Sequence, residues 1–297
     1  MPESIVVRRC MLFVPADRPE RFVKAVASGA DAVCIDLEDA VAVSAKAGAR
    51  EAALSRTLKE ARHGVEVILR INDPKTELGR SDLDALCTVD VPPDAVLLPK
   101  AATAAEVSWV AGVLELWHPL LTLIPLIETA RGLAAAGAIA GSTPNVSGIM
   151  FGAIDLSIEL GCALSWDALL YARSRVVHAA ALARVGALDV PSMAVGPSNG
   201  EQLAAEARAV RELGFTGKAA IHPSQVAVIQ DAFSPSEAEI GRAARVIETA
   251  ERSHGAAALD EGQLVDLPVV SAARRTLARV DAIRARTAAR SLGVTAE

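Results

Sequence analysis

Short apolar runs rich in β-branched residues alternate along this chain with longer segments of helical period. The candidate strands cover residues 10–16, 32–39, 65–72, 95–100, 121–129, 146–156, 187–195 and 217–225. Amphipathic segments lie between several of them, at 46–62, 104–117, 166–185 and 200–213. Nearly continuous apolar strands are typical of a parallel sheet that is buried on both faces. Eight such strands, each followed by a helix or a plausible helix, predict an α/β fold of the (β/α)₈ TIM barrel type.

The predicted barrel occupies residues 1–233, and residues 234–297 continue as helix, loop and helix. We expect this C-terminal part to form a helical extension and lid that contacts a neighbouring subunit. The alternative architecture is a doubly wound open sheet, but no G-x-G-x-x-G sequence follows the first strand. The stretch "GFTGKAA" fails as a phosphate loop because Ala219 stands where Ser or Thr is required.

Composition narrows the functional class. The chain has 297 residues, a net charge of −6 and only 3% aromatic residues, so it lacks the basic surface and stacking platform of a nucleic-acid-binding protein. Its four cysteines show no C-x-x-C spacing and indicate free thiols in a reducing compartment. The N-terminal apolar run is too short for a signal peptide, and no uncharged apolar stretch approaches 18 residues. We therefore expect a cytoplasmic protein.

The stretch "AVCIDLEDAV" (residues 32–41) passes abruptly from a buried strand to Asp36, Glu38 and Asp39. Other candidate strands also end on polar residues. Together the polar strand ends include Glu38, Asp39, Arg70, Asn72, Lys100, Glu128, Asp155 and His222. In a parallel barrel these ends converge on one face, which is where the active site of such a barrel lies. The sequence thus predicts a polar pocket that contains both signs of charge.

Glu128 and Asp155 come from neighbouring strands, the fifth and the sixth in this prediction. Mg²⁺ is held by one or two carboxylates with waters and substrate oxygens, and Mn²⁺ accepts similar ligands. A structural role is also open for each residue, as a helix cap for either one or as an ion pair between Glu128 and Arg131. The spacing does not decide between the metal and the structural interpretation.

Arg70 on the third strand offers a planar fork that matches a carboxylate. It could instead form an ion pair with Glu38 or Asp39, and the two roles are compatible. A metal beside an arginine suits a 2-oxo acid or an aldol adduct of one, since the metal polarises the carbonyl. Lys100 is interpreted as a cationic pocket residue rather than a Schiff-base lysine.

These residues lie in stretches that resemble the citrate lyase β-subunit family, within the wider HpcH/HpaI aldolase and malyl-CoA lyase superfamily. The stretches are "RCMLFVPADRPERFVKAVASGADAVCIDLEDAV", "LRINDPKTELGRSDL", "LLPKAATAAEV", "LIPLIETARGL", "GIMFGAIDLSIELG" and "GKAAIHPSQV". They occur in the order found in the family and cover the predicted barrel from end to end. The resemblance implies a (β/α)₈ barrel, Mg²⁺, and cleavage or formation of a C–C bond next to a thioester.

The resemblance also implies roles for individual residues. Glu128 and Asp155 match the metal ligands, and Arg70 matches the arginine that binds the 2-oxo acid carboxylate. Glu38 and Asp39 match an acidic pair beneath the metal site. Arg9 and Lys100 are expected to face the substrate or the CoA phosphates, and His222 to orient a loop or contact the ligand.

The segment "GQLVDLPVV" (262–270) resembles a lid segment of the malyl-CoA and citramalyl-CoA lyases, in which an aspartate closes over the pocket of a neighbouring subunit. Asp266 matches this aspartate and would donate a proton to the thioester enolate. The alternative is that Asp266 is an N-cap for a helix beginning near Pro268. If the site is shared between subunits, the enzyme is a homo-oligomer, and we expect a trimer or a hexamer.

The leading hypothesis is a stand-alone Mg²⁺-dependent lyase for a 3-hydroxyacyl-CoA such as malyl-CoA or citramalyl-CoA, in which CoA enters as part of the substrate. Reverse Claisen condensation and thioester hydrolysis stay open. The competing hypotheses are a citrate lyase β subunit that uses a citryl thioester of an acyl carrier protein, and a CoA-free 2-oxo acid aldolase. Two departures from the family bear on specificity: Ile154 replaces the first acid of "FGAEDL", and "PSMAVGPSNG" (191–200) is small and nearly uncharged.

Overall fold

The computed structural model describes residues 6–54, 64–195, 199–253, 258–260 and 263–291. The chain divides into two compact units. One spans Arg8–Phe233, and the other comprises the N-terminal residues up to Val7 together with the chain from Ser234 onwards. No helix in the described ranges is long and apolar enough to cross a membrane.

The first unit is a closed barrel of eight parallel strands in sequential order, in which β1 pairs with both β2 and β8. The strands are β1 (Cys10–Pro15), β2 (Ala32–Asp36), β3 (Glu66–Arg70), β4 (Ala95–Leu98), β5 (Thr122–Ile127), β6 (Gly148–Phe151), β7 (Gly186–Asp189) and β8 (Gly217–Ala220). The predicted (β/α)₈ barrel is confirmed.

Helices follow the strands around the barrel. They are α1 (Pro19–Ala27), α2 (Lys46–Ala52), α3 (Glu77–Thr88), α4 (Ala104–Glu115), α5 (Ala130–Ala140), α6 (Ala153–Leu160), α7 (Trp166–Ala183), α8 (Gly200–Leu213) and α9 (Val226–Phe233). Several begin at a Thr or Ser whose side chain accepts the N–H of the third helical residue, as Thr129 does for Gly132 at 3.0 Å. Glu128 lies between the end of β5 and the capping residue Thr129, so the cap helps to fix the position of Glu128.

Alternating strand residues fill two separate parts of the core. Met11, Cys34, Ile68 and Leu97 belong to a cluster inside the barrel. Their strand neighbours, such as Leu12, pack in a larger cluster with the surrounding helices. Burial on both faces explains why the strands read as continuous apolar runs.

All eight strands end earlier than predicted, and at two of them the difference moves residues of the predicted site. The second strand stops at Asp36, so Glu38 and Asp39 lie in the loop after it. The predicted strand 146–156 contains β6 followed by α6, which places Asp155 in the first turn of a helix. Apolar periodicity does not separate a buried strand from a buried helix that follows directly, and Gly152 forms the junction between them.

The second unit contains α10 (Glu237–Arg252), a two-stranded antiparallel sheet of β9 (Ala258–Asp260) and β10 (Gln263–Val265), and α11 (Leu267–Ser291). Its core is formed by Ala243, Val246, Val265, Val270 and Ala273. The pattern of the sequence predicts helix, loop and helix here, and the sheet lies in the predicted loop. The role of this unit as a lid over a neighbouring subunit stays a prediction.

Candidate active site

A cavity of about 450 Å³ opens at the carboxyl ends of the barrel strands. Its charged lining residues are Arg21, Asp36, Asp39, Arg70, Glu128 and Asp155. Glu128 directly follows β5, and Arg70 is the last residue of β3. The structure thus brings together Arg70, Glu128 and Asp155, three residues that the sequence analysis assigned to one site.

Arg70 is held mainly by Asp36. Its Nε lies 2.6 Å from Oδ1 of Asp36 and its second terminal nitrogen 2.5 Å from Oδ2, which is a two-point ion pair. The remaining nitrogen lies 3.0 Å from Glu38 and 3.5 Å from Asp39. The guanidinium also lies 5.3 Å from the ring centre of Phe13, within cation–π distance. The sequence analysis expected pairing with Glu38 or Asp39 and did not assign this role to Asp36.

Lys100 connects two of the acidic residues. Its backbone N–H donates to Glu128 at 2.7 Å, and its ammonium lies 3.2 Å from Glu38. Lys100 adopts a φ of 53°, a left-handed conformation that is unusual for a residue with a side chain. Such backbone strain is concentrated at functional sites. Lys100 is not among the residues that line this cavity, and 42% of its side chain is exposed. The expectation that Lys100 faces the substrate or the CoA phosphates stays a prediction.

Gly152 packs directly against Glu128, and its lack of a side chain leaves space for the Glu128 side chain. A Cβ at position 152 would lie 2.4 Å from the Cβ of Glu128 and 3.0 Å from its Oε2. The junction between β6 and α6 therefore accepts no side chain while Glu128 keeps its present position. This close approach fixes the Glu128 carboxylate beside the first turn of α6, which carries Asp155.

The acidic residues raise one another's affinity for protons. Burial, the charge of Glu38 and the charge of Asp155 raise the pKa of Glu128 to about 8, although the Lys100 N–H opposes the shift. Burial also raises the pKa of Glu38, against the lowering effect of Arg70. Glu38 Oε2 is buried and lies 3.0 Å from Arg70 as an ion pair, without forming a hydrogen bond. The cluster therefore has an excess of negative charge that a cation would neutralise.

A hard divalent cation fits this chemistry. The described residues contain no group of three or more His, Cys, Asp or Glu side chains arranged around one point. Two carboxylates, Glu128 and Asp155, are nevertheless sufficient for Mg²⁺ when waters and substrate oxygens complete the octahedron. The proposed ligand pair thus agrees with the donor set that the cavity offers.

A buried lysine holds the loop beneath the site. The Lys46 ammonium donates to the carbonyl oxygens of Leu37 and Glu38, both at 2.7 Å, and to Asn72 Oδ1 at 2.6 Å. Asn72 in turn donates to Asp82 at 2.7 Å. The sequence analysis missed Lys46, because nothing in its spacing from "DLEDAV" indicates that the side chain returns to those carbonyls.

We expect Lys46→Met to lower the free energy of unfolding by at least about 2 kcal/mol, because it leaves buried carbonyl and amide oxygens without a donor. Urea denaturation followed by circular dichroism measures this change. Lys24→Met on the exposed side of α1 is the matched control and should stay close to the unsubstituted protein. Equal unfolding free energies for the two variants would contradict a clamping role for Lys46.

Two further predicted residues have different outcomes. Arg9 precedes β1 and pairs with Asp31 at 2.9 Å, just before β2. It therefore lies at the amino ends of the strands, opposite the cavity, and the expectation that it faces the substrate is corrected. His222 follows β8, and its Nδ1 accepts the Ser224 N–H at 3.2 Å as the cap of a short helical turn. That contact agrees with the loop-orienting role considered for His222.

Asp266 lies in the second unit, immediately before α11. Its Oδ1 accepts the N–H of Val269 at 3.2 Å, and its carbonyl accepts the N–H of Val270 at 2.9 Å. Asp266 is thus the N-cap of α11, which is the structural role considered for it from the sequence. The capping contact uses Oδ1 of Asp266 and not Oδ2. The catalytic role of Asp266 stays a prediction.

Comparisons with known proteins agree with this geometry. Residues 9–223 match the family model of HpcH/HpaI aldolase/citrate lyase. A (3S)-malyl-CoA thioesterase from Cereibacter sphaeroides is 37% identical over 93% of this chain and 96% of its own length. The citrate lyase subunit beta of Leuconostoc mesenteroides subsp. cremoris is 32% identical over 91% of this chain and 92% of its own length.

Among solved structures, the protein CitE from Mycobacterium tuberculosis in complex with magnesium, acetoacetate and coenzyme A matches with a TM-score of 0.77 and 36% identity. The match covers 93% of this chain and 98% of that one. The resemblance seen in "DLEDAV", "ETARGL" and "GKAAIHPSQ" is therefore confirmed over nearly the full length. The chain belongs to the HpcH/HpaI aldolase/citrate lyase family.

Proposed function

We propose that this protein is a Mg²⁺-dependent carbon–carbon lyase that cleaves a 3-hydroxyacyl-CoA thioester into a 2-oxo acid and acetyl-CoA, or forms it by the reverse condensation. The observation that carries the proposal is the cavity lined by Arg70, Glu128 and Asp155 at the carboxyl ends of the barrel strands. A family member crystallised with magnesium, acetoacetate and coenzyme A supports it.

Each residue has a distinct task in this proposal. Glu128 and Asp155 hold Mg²⁺, which when bound acts as a Lewis acid on the carbonyl oxygen of the 2-oxo acid. Arg70 binds the carboxylate of the same acid through the terminal nitrogen that Asp36 does not hold. That nitrogen lies 3.0 Å from Glu38 and 3.5 Å from Asp39. Lys100 and Glu38 hold Glu128 and Arg70 in place.

The thioester half needs a proton when the bond breaks, because cleavage leaves an enolate on the α-carbon. We retain Asp266 of a neighbouring subunit as the proposed donor. This assignment requires an oligomer, for which a trimer or a hexamer is the proposal. Asp266→Asn should keep the Mg²⁺ affinity and lower the rate of cleavage, which separates proton donation from metal binding.

A second candidate function is hydrolysis of the thioester, since a relative with 37% identity is a (3S)-malyl-CoA thioesterase. Both activities use the same substrate, but their products differ. Lyase activity on malyl-CoA yields glyoxylate and acetyl-CoA, whereas hydrolysis yields malate and free CoA. Product identity therefore distinguishes them in one assay.

The deciding experiment incubates the purified chain and Mg²⁺ with malyl-CoA, citramalyl-CoA, β-methylmalyl-CoA and citryl-CoA, with products separated by liquid chromatography. We expect acetyl-CoA or its homologue together with a 2-oxo acid, and loss of both products with EDTA. Free CoA without a 2-oxo acid would favour the thioesterase. Turnover only of a citryl thioester on acyl carrier protein would favour a citrate lyase β subunit. Turnover only of free 2-oxo acids with aldehydes would favour a CoA-free aldolase.

The affinity for Mg²⁺ should rise with pH up to about 8. The pKa of Glu128 is raised from 4.5 to about 8 in the folded protein, so protons compete with the metal below that pH. For the same reason Glu128 stabilises the metal-free protein at low pH and loses that contribution as the pH rises through 8. Isothermal titration calorimetry should show an apparent Kd that falls about tenfold per pH unit from about pH 6 to 8. A constant Kd over this range would contradict the assignment.

A further inference from the structure

A second cavity of about 650 Å³ adjoins the first within the Arg8–Phe233 unit. The two cavities share lining residues from the β6–α6 junction and from the segment after β7. The shared residues are Ala153, Ile154, Val190, Pro191 and Met193. The two cavities therefore meet at a wall that contains Ile154, the residue directly before Asp155.

The walls of the second cavity are mostly apolar. Leu164, Trp166 and Leu169 line one side, and Ala205 and Ala209 of α8 line another. An apolar pocket of several hundred cubic ångströms with few polar groups is a typical small-molecule site.

The charged groups at these walls are already neutralised within the protein. Arg173 pairs with Asp189 at 3.1 Å, and its guanidinium lies 5.0 Å from the ring centre of Trp166. The charge of Arg173 is thus balanced, although its Nη1 is buried without a hydrogen-bond partner. Glu206 pairs with the fully buried Lys218 at 2.8 Å. With its charges paired, the cavity favours an aliphatic group over a second charged one.

Large apolar side chains that line the second cavity are open to solvent. Ile154 is 37% exposed, Leu164 54% and Met193 60%. Grouped exposure of this kind indicates a surface that a ligand covers. A glutamate at position 154 would make this wall charged, and the isoleucine makes it apolar.

The strand order gives the direction in which a substrate lies. Arg70 ends β3 and the second cavity lies beside β7, and three strands lie between β3 and β7 on either side of the closed barrel of eight. These positions are on opposite sides of the barrel mouth. If Arg70 binds the carboxylate of a 2-oxo acid, the side chain of that acid points away from Arg70, towards β7 and Ile154.

We propose that the second cavity is a subsite for the side chain of the 2-oxo acid, and that this enzyme handles thioesters whose 2-oxo acid half has an aliphatic side chain of three or more carbons. Ile154 is the specificity-determining residue at its entrance. The inference rests on the proposed function, since it uses Arg70 and the Mg²⁺ ligands as the anchor of the acid.

The test runs the condensation of acetyl-CoA with glyoxylate, pyruvate, 2-oxobutanoate and 4-methyl-2-oxopentanoate on the full chain with Mg²⁺. Each methylene buried in an apolar pocket changes kcat/KM by roughly tenfold or more. We therefore expect kcat/KM for 4-methyl-2-oxopentanoate to exceed that for glyoxylate at least about tenfold. Calorimetric binding of the same four acids with Mg²⁺ gives a readout that needs no thioester.

Ala205→Phe obstructs the second cavity without touching the acidic cluster, and Ala168→Phe on the exposed side of α7 is the matched control. We expect Ala205→Phe to raise KM for 4-methyl-2-oxopentanoate about tenfold and to leave glyoxylate within about twofold. Ala209→Leu provides a smaller obstruction if the first variant does not fold.

The outcomes separate the two proposals. Turnover that is fastest with glyoxylate or pyruvate and unchanged by Ala205→Phe would overturn the subsite and leave the lyase intact. Absence of condensation with every acid would overturn the proposed lyase. In that case, tighter binding of 4-methyl-2-oxopentanoate than of glyoxylate, lost in Ala205→Phe, would still support the subsite.

Discussion

Glu128→Gln is expected to lower kcat/KM for thioester cleavage by about a thousandfold or more. The amide keeps the size of the side chain and can still accept the Lys100 N–H, which now approaches at 2.7 Å. It removes the negative charge that a divalent cation needs, and a metal that polarises a carbonyl supplies several kcal/mol of transition-state stabilisation. At about 1.4 kcal/mol per tenfold in rate, that loss corresponds to several orders of magnitude.

Calorimetry with Mg²⁺ shows whether this loss comes from the metal. Glu128→Gln should bind Mg²⁺ at least tenfold more weakly, consistent with loss of one charged ligand. Its unfolding free energy near pH 8 should not fall, since the substitution relieves the repulsion that raises the pKa of this carboxyl to about 8. Glu115→Gln on the exposed side of α4 is the control. Full activity and full Mg²⁺ affinity in Glu128→Gln would remove the carboxylate from the mechanism.

The convergence of polar strand ends was predictable because it depends only on the order and direction of the strands. A buried parallel barrel must bring the residues after each strand to one rim, which is why Arg70 and Glu128 could be assigned to one site from their positions alone. The role expected for Arg9 came from the resemblance instead, and Arg9 precedes its strand and so lies at the opposite end, paired with Asp31. Position relative to the strand end was the better guide there than resemblance.

Side-chain contacts between different segments of the chain were not predictable in the same way. Lys46 reaches back to the carbonyl of Glu38, and Asp36 rather than Glu38 forms the two-point ion pair with Arg70. These contacts depend on where helix α2 packs and on which side chain of β2 faces inward, and neither has a periodic signal. The role of Gly152 is similar, since its close approach to Glu128 exists only once β5 and β6 are paired.

The site combines an excess of acid with a strongly held arginine. Burial opposes the charge of Arg70, but Asp36 and Glu38 raise its pKa well above the ordinary value. Because Arg70 stays charged, it compensates part of the acidic cluster and leaves the repulsion around Glu128 for a cation to relieve. Removing the arginine should therefore affect both the stability of the fold and the binding of the substrate.

Arg70→Met is expected to lower the free energy of unfolding by about 3–5 kcal/mol, the usual cost of leaving one partner of a buried ion pair uncompensated. Asp36 has only 3% of its side chain exposed and Arg70 only 12%, so water replaces little of the lost interaction. Arg70→Lys should lose less stability, because it keeps the charge. Both variants should lose binding of the 2-oxo acid. The methionine has no charge, and the ammonium of the lysine cannot form the two-point contact with a carboxylate.

A double-mutant cycle separates the two effects. Asp36→Leu combined with Arg70→Met removes both members of the pair, and stability should recover in part relative to Arg70→Met, because an apolar replacement of a whole buried pair is close to neutral. Recovery is incomplete, since Glu38 loses its 3.0 Å ion pair and the N–H groups of Glu38 and Ala40 lose Asp36 as their acceptor. Substrate binding should stay lost, because the guanidinium that binds the acid is gone. Urea denaturation measures the first quantity, and calorimetry with pyruvate and Mg²⁺ measures the second. If the double variant binds pyruvate as tightly as the unsubstituted protein, Arg70 is a structural residue and the carboxylate is held elsewhere in the cavity.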